Sequence, residues 1–314
     1  MVIHTIASSP SGNPCGRVVT VNDIVRGWQN AGRQASSHYL VDRDGTITQM
    51  VREANVAFHA ELENPNSIGI EHADICNKPD AYTTTLYERS AELVRDIARR
   101  NGFNLQVFRF DTPTLANATV VGHVDVGAHG DPGVFWDWEY YAQLLRWNGN
   151  ASTRPIRLVA VSPPAPAPAG WQSRTRVQVQ GETRACIPNE HCAVNRHSWG
   201  DTYLRARAST AGTDILFRFD VPVQGRYKVS LWWPRHAGAC SATHVDFEAL
   251  KAGGPARGWV FFDQRRNFGK WNDLGSPYTF TVPASGAQVT VRVHRASTAT
   301  GWILADAARI LRVF

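Results

Sequence analysis

Two kinds of hydrophobic pattern divide the chain, and they change hands near its middle. In the first half, short apolar runs alternate with helical periodicity. Val2-Ile3-His4-Thr5 predicts a strand, and Asn22 to Asn30 predicts a helix with Ile24 and Trp28 on one face. Segments 37–41 and 46–51 flank Asp42-Arg43-Asp44-Gly45, a hairpin turn signal. Ser67 to Glu71 and Thr119 to Gly122 read as buried strands. Thr85 to Arg100 predicts the longest helix. Leu86, Leu93, Val94 and Ile97 form its apolar stripe, Thr85-x-x-Glu88 a capping box, and Asn101-Gly102 the stop. Trp138 to Trp147 predicts a last helix. The sum is an α/β (α+β) domain, a mixed β-sheet flanked by helices.

Beyond residue 200 the period becomes two. Ile215, Phe217 and Phe219 alternate with polar partners, as do Tyr227, Val229, Leu231 and Trp233, then Val289, Val291 and Val293. Pro222-Val223-Gln224-Gly225 and Pro283-Ala284-Ser285-Gly286 supply turns, which together predict an all-β sandwich of jelly-roll type. Between the two patterns lies Ser162-Pro163-Pro164-Ala165-Pro166-Ala167-Pro168-Ala169-Gly170, whose prolines exclude helix and central strand. The expected division is therefore 1–150, a linker at 151–170, and 171–314.

Charge sharpens that division. Residues 1–150 carry 12 Lys and Arg against 17 Asp and Glu, a net −5, whereas 151–314 carry 21 against 10, a net +11. An acidic domain followed by a basic one implies different partners, and the basic one suits anionic polymers. No apolar run approaches the roughly 18 residues of a membrane span. The opening Met-Val-Ile-His reads as strand, so no signal peptide is expected. A trimmed mature form, export without a signal, and phage-type release all stay open. Of the five cysteines, Cys186 and Cys192 flank a turn-like stretch and suit a disulfide, as would one to Cys240. His191 and His197 raise a structural metal site, but their spacing matches no standard pattern.

Three stretches carry candidate chemistry: Val2-Ile3-His4-Thr5, Val121-Gly122-His123-Val124-Asp125 and Gly130-Asp131-Pro132-Gly133. Each puts an imidazole or carboxylate at a strand end or in the following loop. Two histidines and a carboxylate can give zinc three protein ligands and leave a fourth position for water. No nucleophile elbow, His-Glu-x-x-His or phosphate-binding glycine loop competes with them.

In these stretches, residues 1–147 closely resemble the type 2 N-acetylmuramoyl-L-alanine amidases, the superfamily that includes peptidoglycan-recognition proteins. The resemblance extends through residues 37–45 (Ser-His-Tyr-Leu-Val-Asp-Arg-Asp-Gly), Ala57-Phe58-His59-Ala60, Asn66-Ser67-Ile68-Gly69-Ile70-Glu71 and Trp136-Asp137-Trp138. It implies a Zn²⁺ enzyme that cuts the amide between N-acetylmuramic acid and L-alanine in bacterial peptidoglycan. It makes His4, His123 and Asp131 the zinc ligands and Glu71 the general base and proton donor. Phe58, His59 and Asn66 would line the substrate groove, with Phe58 where the family usually has Trp. At His129, where many catalytic members have lysine, an imidazole would serve the oxyanion. That departure favours the rival reading, a recognition module without catalysis. His38 is expected to be structural or groove-lining, and His72 to face away from Glu71.

Residues 171–314 resemble, more loosely, the golvesin C-terminal-like domain. The resemblance rests on Phe219-Asp220-Val221-Pro222, residues 225–234, Trp271 to Gly275 and Ala305-Asp306-Ala307. It implies binding to polysaccharide or cell surface, with no site motif to carry over. Seven of the eleven tryptophans lie here, and Trp232, out of register with the Tyr227–Trp233 core stripe, is the candidate for an exposed sugar-stacking face. Arg265, Arg266 and Lys270 form a local basic cluster. Nucleic acid is not an expected partner. An extracellular or cell-wall location is, in an autolysin or endolysin role.

Overall fold

A computed structural model of the protein describes residues 1–5, 20–30, 34–73, 82–161, 166–175, 199, 202–207, 213–234, 245–251, 254–275, 279–294 and 301–313. All five cysteines, and with them the disulfide expectation, lie outside these residues, as do His191 and His197. The chain forms two compact units, Met1–Arg154 and Pro155–Phe314.

The first unit is built on a five-stranded mixed sheet ordered β3-β2-β4-β1-β5. Its strands are β1 (Val2–Thr5), β2 (Tyr39–Val41), β3 (Ile47–Gln49), β4 (Gly69–His72) and β5 (Val121–Gly122). Strands β2, β4, β1 and β5 run parallel, and only the β2–β3 hairpin is antiparallel. The turn closes as its residues predict: Gly45 N–H donates to Asp42 O at 2.9 Å, with Gly45 at φ 88°, where a side chain is costly.

The helices are α1 (Val21–Asn30), α2 (Thr84–Asn101), α3 (His123–Val126) and α4 (Trp138–Arg146). Helix α2 starts earlier than the Thr85 capping box predicts. Thr83 is the N-cap, accepting from Leu86 N at 3.0 Å while its hydroxyl donates to Arg43 O at 2.6 Å. Glu88 pairs with Arg154 instead of closing a box. The tertiary bond to the hairpin turn selects the upstream threonine. Gly102, at φ 71°, ends the helix as expected. Against the sheet packs an aromatic cluster of Tyr82, Tyr87, Trp136, Tyr140 and Tyr141, all buried.

The second unit is all β and antiparallel. Its strands are β6 (Arg157–Val161), β7 (Gln172–Thr175), β8 (Thr202–Arg207), β9 (Ile215–Val221), β10 (Gly225–Trp232), β11 (Val245–Lys251), β12 (Gly254–Phe262), β13 (Asn272–Asp273), β14 (Phe280–Val282), β15 (Ala287–Val293), β16 (Trp302–Ala305) and β17 (Ala307–Val313). They form sheets ordered β13-β10-β17-β6, with β14 also on β10, then β12-β11-β15-β9, and β16-β8-β7. The predicted alternating residues, Ile215 to Phe219, Tyr227 to Trp233 and Val289 to Val293, meet in one core.

Two expectations change here. Residues 157–161, read as linker, form β6 on the edge of β17. Ile156, Leu158 and Ala160 alternate toward the core, a period-two signal overshadowed by the prolines that follow. Trp232 does face away from that core, but it is buried, not exposed, because Trp199 and Trp271 cover it with ring centroids 4.9 and 5.4 Å away.

Candidate metal centre

Parallel pairing assembles the site. In the β1–β4 register His4 lies beside Glu71, and Ile3 lies beside Gly122 on β5. Neighbouring positions in a parallel register present their side chains on the same face, so His4 and Glu71 share one. The chain leaves β5 at Gly122 and begins α3 at His123, which brings the second imidazole over His4, with centroids 4.4 Å apart. Asp125 does not join them. It caps the turn by accepting from Gly122 N at 2.9 Å and pairs with Arg109. A side chain on Gly122 would strike Pro132 at 2.9 Å, so the glycine lets the Asp131 loop approach. That loop is pinned by Val124 N–H donating to Asp131 O at 2.7 Å.

The outcome is a three-residue donor set. Asp131 Oδ2 lies 3.3 Å from His4 Nδ1, and Asp131 Oδ1 lies 3.1 Å from His123 Nδ1. Both histidines are buried, and one ligand atom from each of the three residues falls within 4.8 Å of the others. A tetrahedral zinc with bonds of about 2.0–2.1 Å separates its ligand atoms by about 3.3 Å, so the donor set fits a zinc ion in spacing and chemistry. Burial lowers the His4 pKa, which keeps a neutral, ligating imidazole. Burial alone would raise the Asp131 carboxyl, but the adjacent His123 and His4 rings outweigh it and hold the group below the usual carboxylate range.

Glu71 is half-buried, with Oε2 sealed from solvent and without a hydrogen-bond partner among the described residues. Burial, and then the negative charge of Asp131, push its pKa up to about 8. His129 stacks on His123 at 4.2 Å with the planes 15° apart, and its Nε2 lies 3.4 Å from Glu61 Oε1. His129 is half-exposed, standing at the mouth of the site. Phe58 and Asn66 are exposed, while His59 turns inward, its Nδ1 3.0 Å from His4 Nε2.

The other two histidines of the first unit are held in the scaffold. His38 is buried, accepting from Gly69 N on Nδ1 and donating from Nε2 to Asn55 O, both at 3.0 Å. His72 faces away from Glu71, between His4 O and Ser90 Oγ, each at 2.7 Å. Three neighbours escaped the sequence reading. Asn64 Oδ1 accepts from the N–H groups of His59 and Ala60, Ser67 Oγ reaches His59, and Glu61 meets His129. Glu61 and Asn64 lie in the polar turn Glu61–Asn66 and Ser67 directly follows it, which was the available signal.

Residues 1–134 match the family described as N-acetylmuramoyl-L-alanine amidase, and residues 190–312 match the golvesin C-terminal domain. N-acetylmuramoyl-L-alanine amidase A of Achromobacter lyticus is 31% identical over 159 residues, spanning 48% of this chain and 84% of that protein. The 1,6-anhydro-N-acetylmuramyl-L-alanine amidase AmpD of Haemophilus influenzae is 30% identical over 36% of this chain and 60% of that protein. A xanthan lyase of Bacillus sp. is 34% identical over 116 residues, 37% of this chain but only 12% of that protein. Among solved structures, the amidase LysC of Clostridium intestinale aligns at 20% identity and a TM-score of 0.30, covering 45% of this chain and 79% of that one. The chain belongs to the N-acetylmuramoyl-L-alanine amidase family and carries a golvesin C-terminal domain behind its amidase domain.

Proposed function

We propose that the protein hydrolyses peptidoglycan at the amide joining the lactyl group of N-acetylmuramic acid to L-alanine, with zinc held by His4, His123 and Asp131. The observation that carries this reading is the convergence of two imidazole Nδ1 atoms on one carboxylate at 3.1 and 3.3 Å, with Glu71 in register beside His4. A zinc ion bound there lowers the pKa of a water and polarises a carbonyl.

The protein's own residues account for the proton movements. Glu71 takes a proton from the attacking water and returns it to the departing L-alanine nitrogen. Burial is the main cause of its raised pKa, and the negative charge of Asp131 the second. A cation held by His4, His123 and Asp131 would offset Asp131's charge and favour the ionised carboxylate that a base requires. His129, at the mouth, donates a hydrogen bond to the oxygen on which negative charge develops. Phe58 and Asn66, both exposed, contact the glycan or stem peptide.

The protein acts on the cell wall, outside the cytoplasm, in an autolysin or endolysin role. No helix among the described residues is long and apolar enough to cross a membrane. The domain at 171–314 holds the enzyme on an anionic wall polymer.

The test is mass spectrometry of purified sacculi after digestion. New L-alanine amino termini that vanish with a chelator and return with zinc are the expected result. Zinc binding without cleavage would leave a recognition module instead.

A further inference from the structure

His59 lies against the metal centre in a way that groove lining does not require. Its Nδ1 is 3.0 Å from His4 Nε2, the nitrogen on the far side of the ring from Asp131. Its Nε2 is 3.4 Å from Ser67 Oγ, and the Ser67 hydroxyl donates to Glu63 O at 2.6 Å. The ring is seated over β4, where a methyl group on Gly69 would fall 2.5 Å from His59 Cγ. At its other end, Asn64 fixes the His59 main chain by accepting from its N–H at 2.8 Å.

The contacts on the Ser67 side set a direction of hydrogen bonding. A carbonyl can only accept, so the Ser67 proton points to Glu63 O and leaves Ser67 Oγ as acceptor. His59 Nε2 therefore carries the proton toward Ser67 Oγ. The neutral imidazole then has a bare Nδ1, which accepts from His4 Nε2–H. His4 is left with a bare Nδ1 on the side where His123 Nδ1 and Asp131 stand. Without this relay Asp131 would favour the opposite tautomer, since a proton on His4 Nδ1 could be donated to its carboxylate at 3.3 Å.

We infer that His59 is a positioning residue, the member of a Glu63–Ser67–His59–His4 relay that fixes the His4 tautomer and ring orientation for metal binding. The inference rests on the zinc reading of the site, and it separates His59 from Phe58 and Asn66 in role. Such outer partners of a ligating histidine typically contribute 10–100-fold in metal affinity.

Substitutions at His59 distinguish the relay from groove lining. Asparagine places an acceptor oxygen where Nδ1 sits, glutamine reaches only to the position of Nε2, and leucine offers neither. Zinc dissociation constants are measured on the full chain by competition with a chromogenic chelator, beside KM and kcat on sacculus fragments. The expected result is a 10–100-fold weaker constant for His59→Leu and His59→Gln, recovered to within about threefold in His59→Asn. In the zinc-loaded wild type, imidazole nitrogen NMR should assign the proton of His59 to Nε2. Unchanged zinc affinity in all three variants with a raised KM, or a His59 proton on Nδ1, overturns the relay while leaving the zinc site intact. Failure of the wild type to bind zinc would remove the zinc reading and the relay together.

Discussion

Glu71 and His72 are adjacent, yet the sheet sends them to opposite faces with opposite tasks. Glu71 shares a face with His4 of the candidate metal centre, and Glu71→Gln preserves its size while removing its ability to take a proton. Turnover should fall by about 10²–10⁴, the usual contribution of a general acid–base group, with zinc affinity within about twofold of wild type. Parallel loss of zinc would mean that Glu71 supports the ligands rather than the proton transfer. His72 is buried between His4 O and Ser90 Oγ, and burial depresses its pKa from 6.5 to about 3. Between those values the unfolded chain takes a proton that the folded chain refuses. His72's contribution to stability is therefore complete above about pH 6.5 and drains away as pH falls toward 3, at about 1.4 kcal/mol per pH unit. Denaturant titrations at pH 7 and pH 5 should show a smaller acid loss in His72→Gln than in the wild type, and equal losses would refute the assignment. Both faces followed from period-two alternation in the sequence. That His4, His123 and Asp131 would cluster was implied by the family resemblance of three short motifs, which distant strand pairing brings together. The roles of Ser67 and Asn64 were not legible, because they arise only when the turn brings Asn64 Oδ1 to the His59 and Ala60 N–H groups and Ser67 Oγ to the His59 ring.

Whole elements were legible where one local signal decided them. The Asp42–Gly45 turn, the Gly102 stop and the alternation in β9, β10 and β15 needed no distant partner to be read. The start of α2 was not, because two threonines competed and the winner is chosen by a bond to Arg43 O in a distant turn. Thr83→Ala should cost about 1 kcal/mol in a denaturant titration, the typical worth of an N-cap hydroxyl. Thr85 is exposed in the first turn of the helix, and Thr85→Ala should stay within about 0.5 kcal/mol of wild type. The reverse order of costs would restore the capping box. Strand β6 shows the other limit. Its alternation spans few residues and adjoins a proline-rich run, so only pairing with β17 reveals it.

At the scale of the molecule, the acidic and basic halves of the sequence belong to units with different chemistry, and the tryptophans decide how the second one can bind. Trp171, Trp199, Trp232 and Trp233 are buried, so none of them offers a free indole face to a sugar. Trp271 packs on Trp199 and Trp232 with Arg309 over its ring at 4.9 Å. Trp302 is covered by the guanidinium groups of Arg205 and Arg207, at 4.2 and 4.4 Å. Among the described residues, then, indole stacking has little surface left, whereas cations such as Arg218 and Lys270 stand exposed among a net +11 over 151–314. Attraction between exposed charges is screened over about 8 Å at physiological salt and about 3 Å at 1 M, while aromatic stacking is not. Retention of the chelated, non-cleaving protein on sacculi should therefore fall steeply between low salt and 1 M sodium chloride. It should fall again when anionic wall polymers are stripped from the sacculi at constant salt. Retention that ignores both treatments would return the binding to an aromatic or hydrogen-bonding surface and leave the positive charge of the second unit without a part in it.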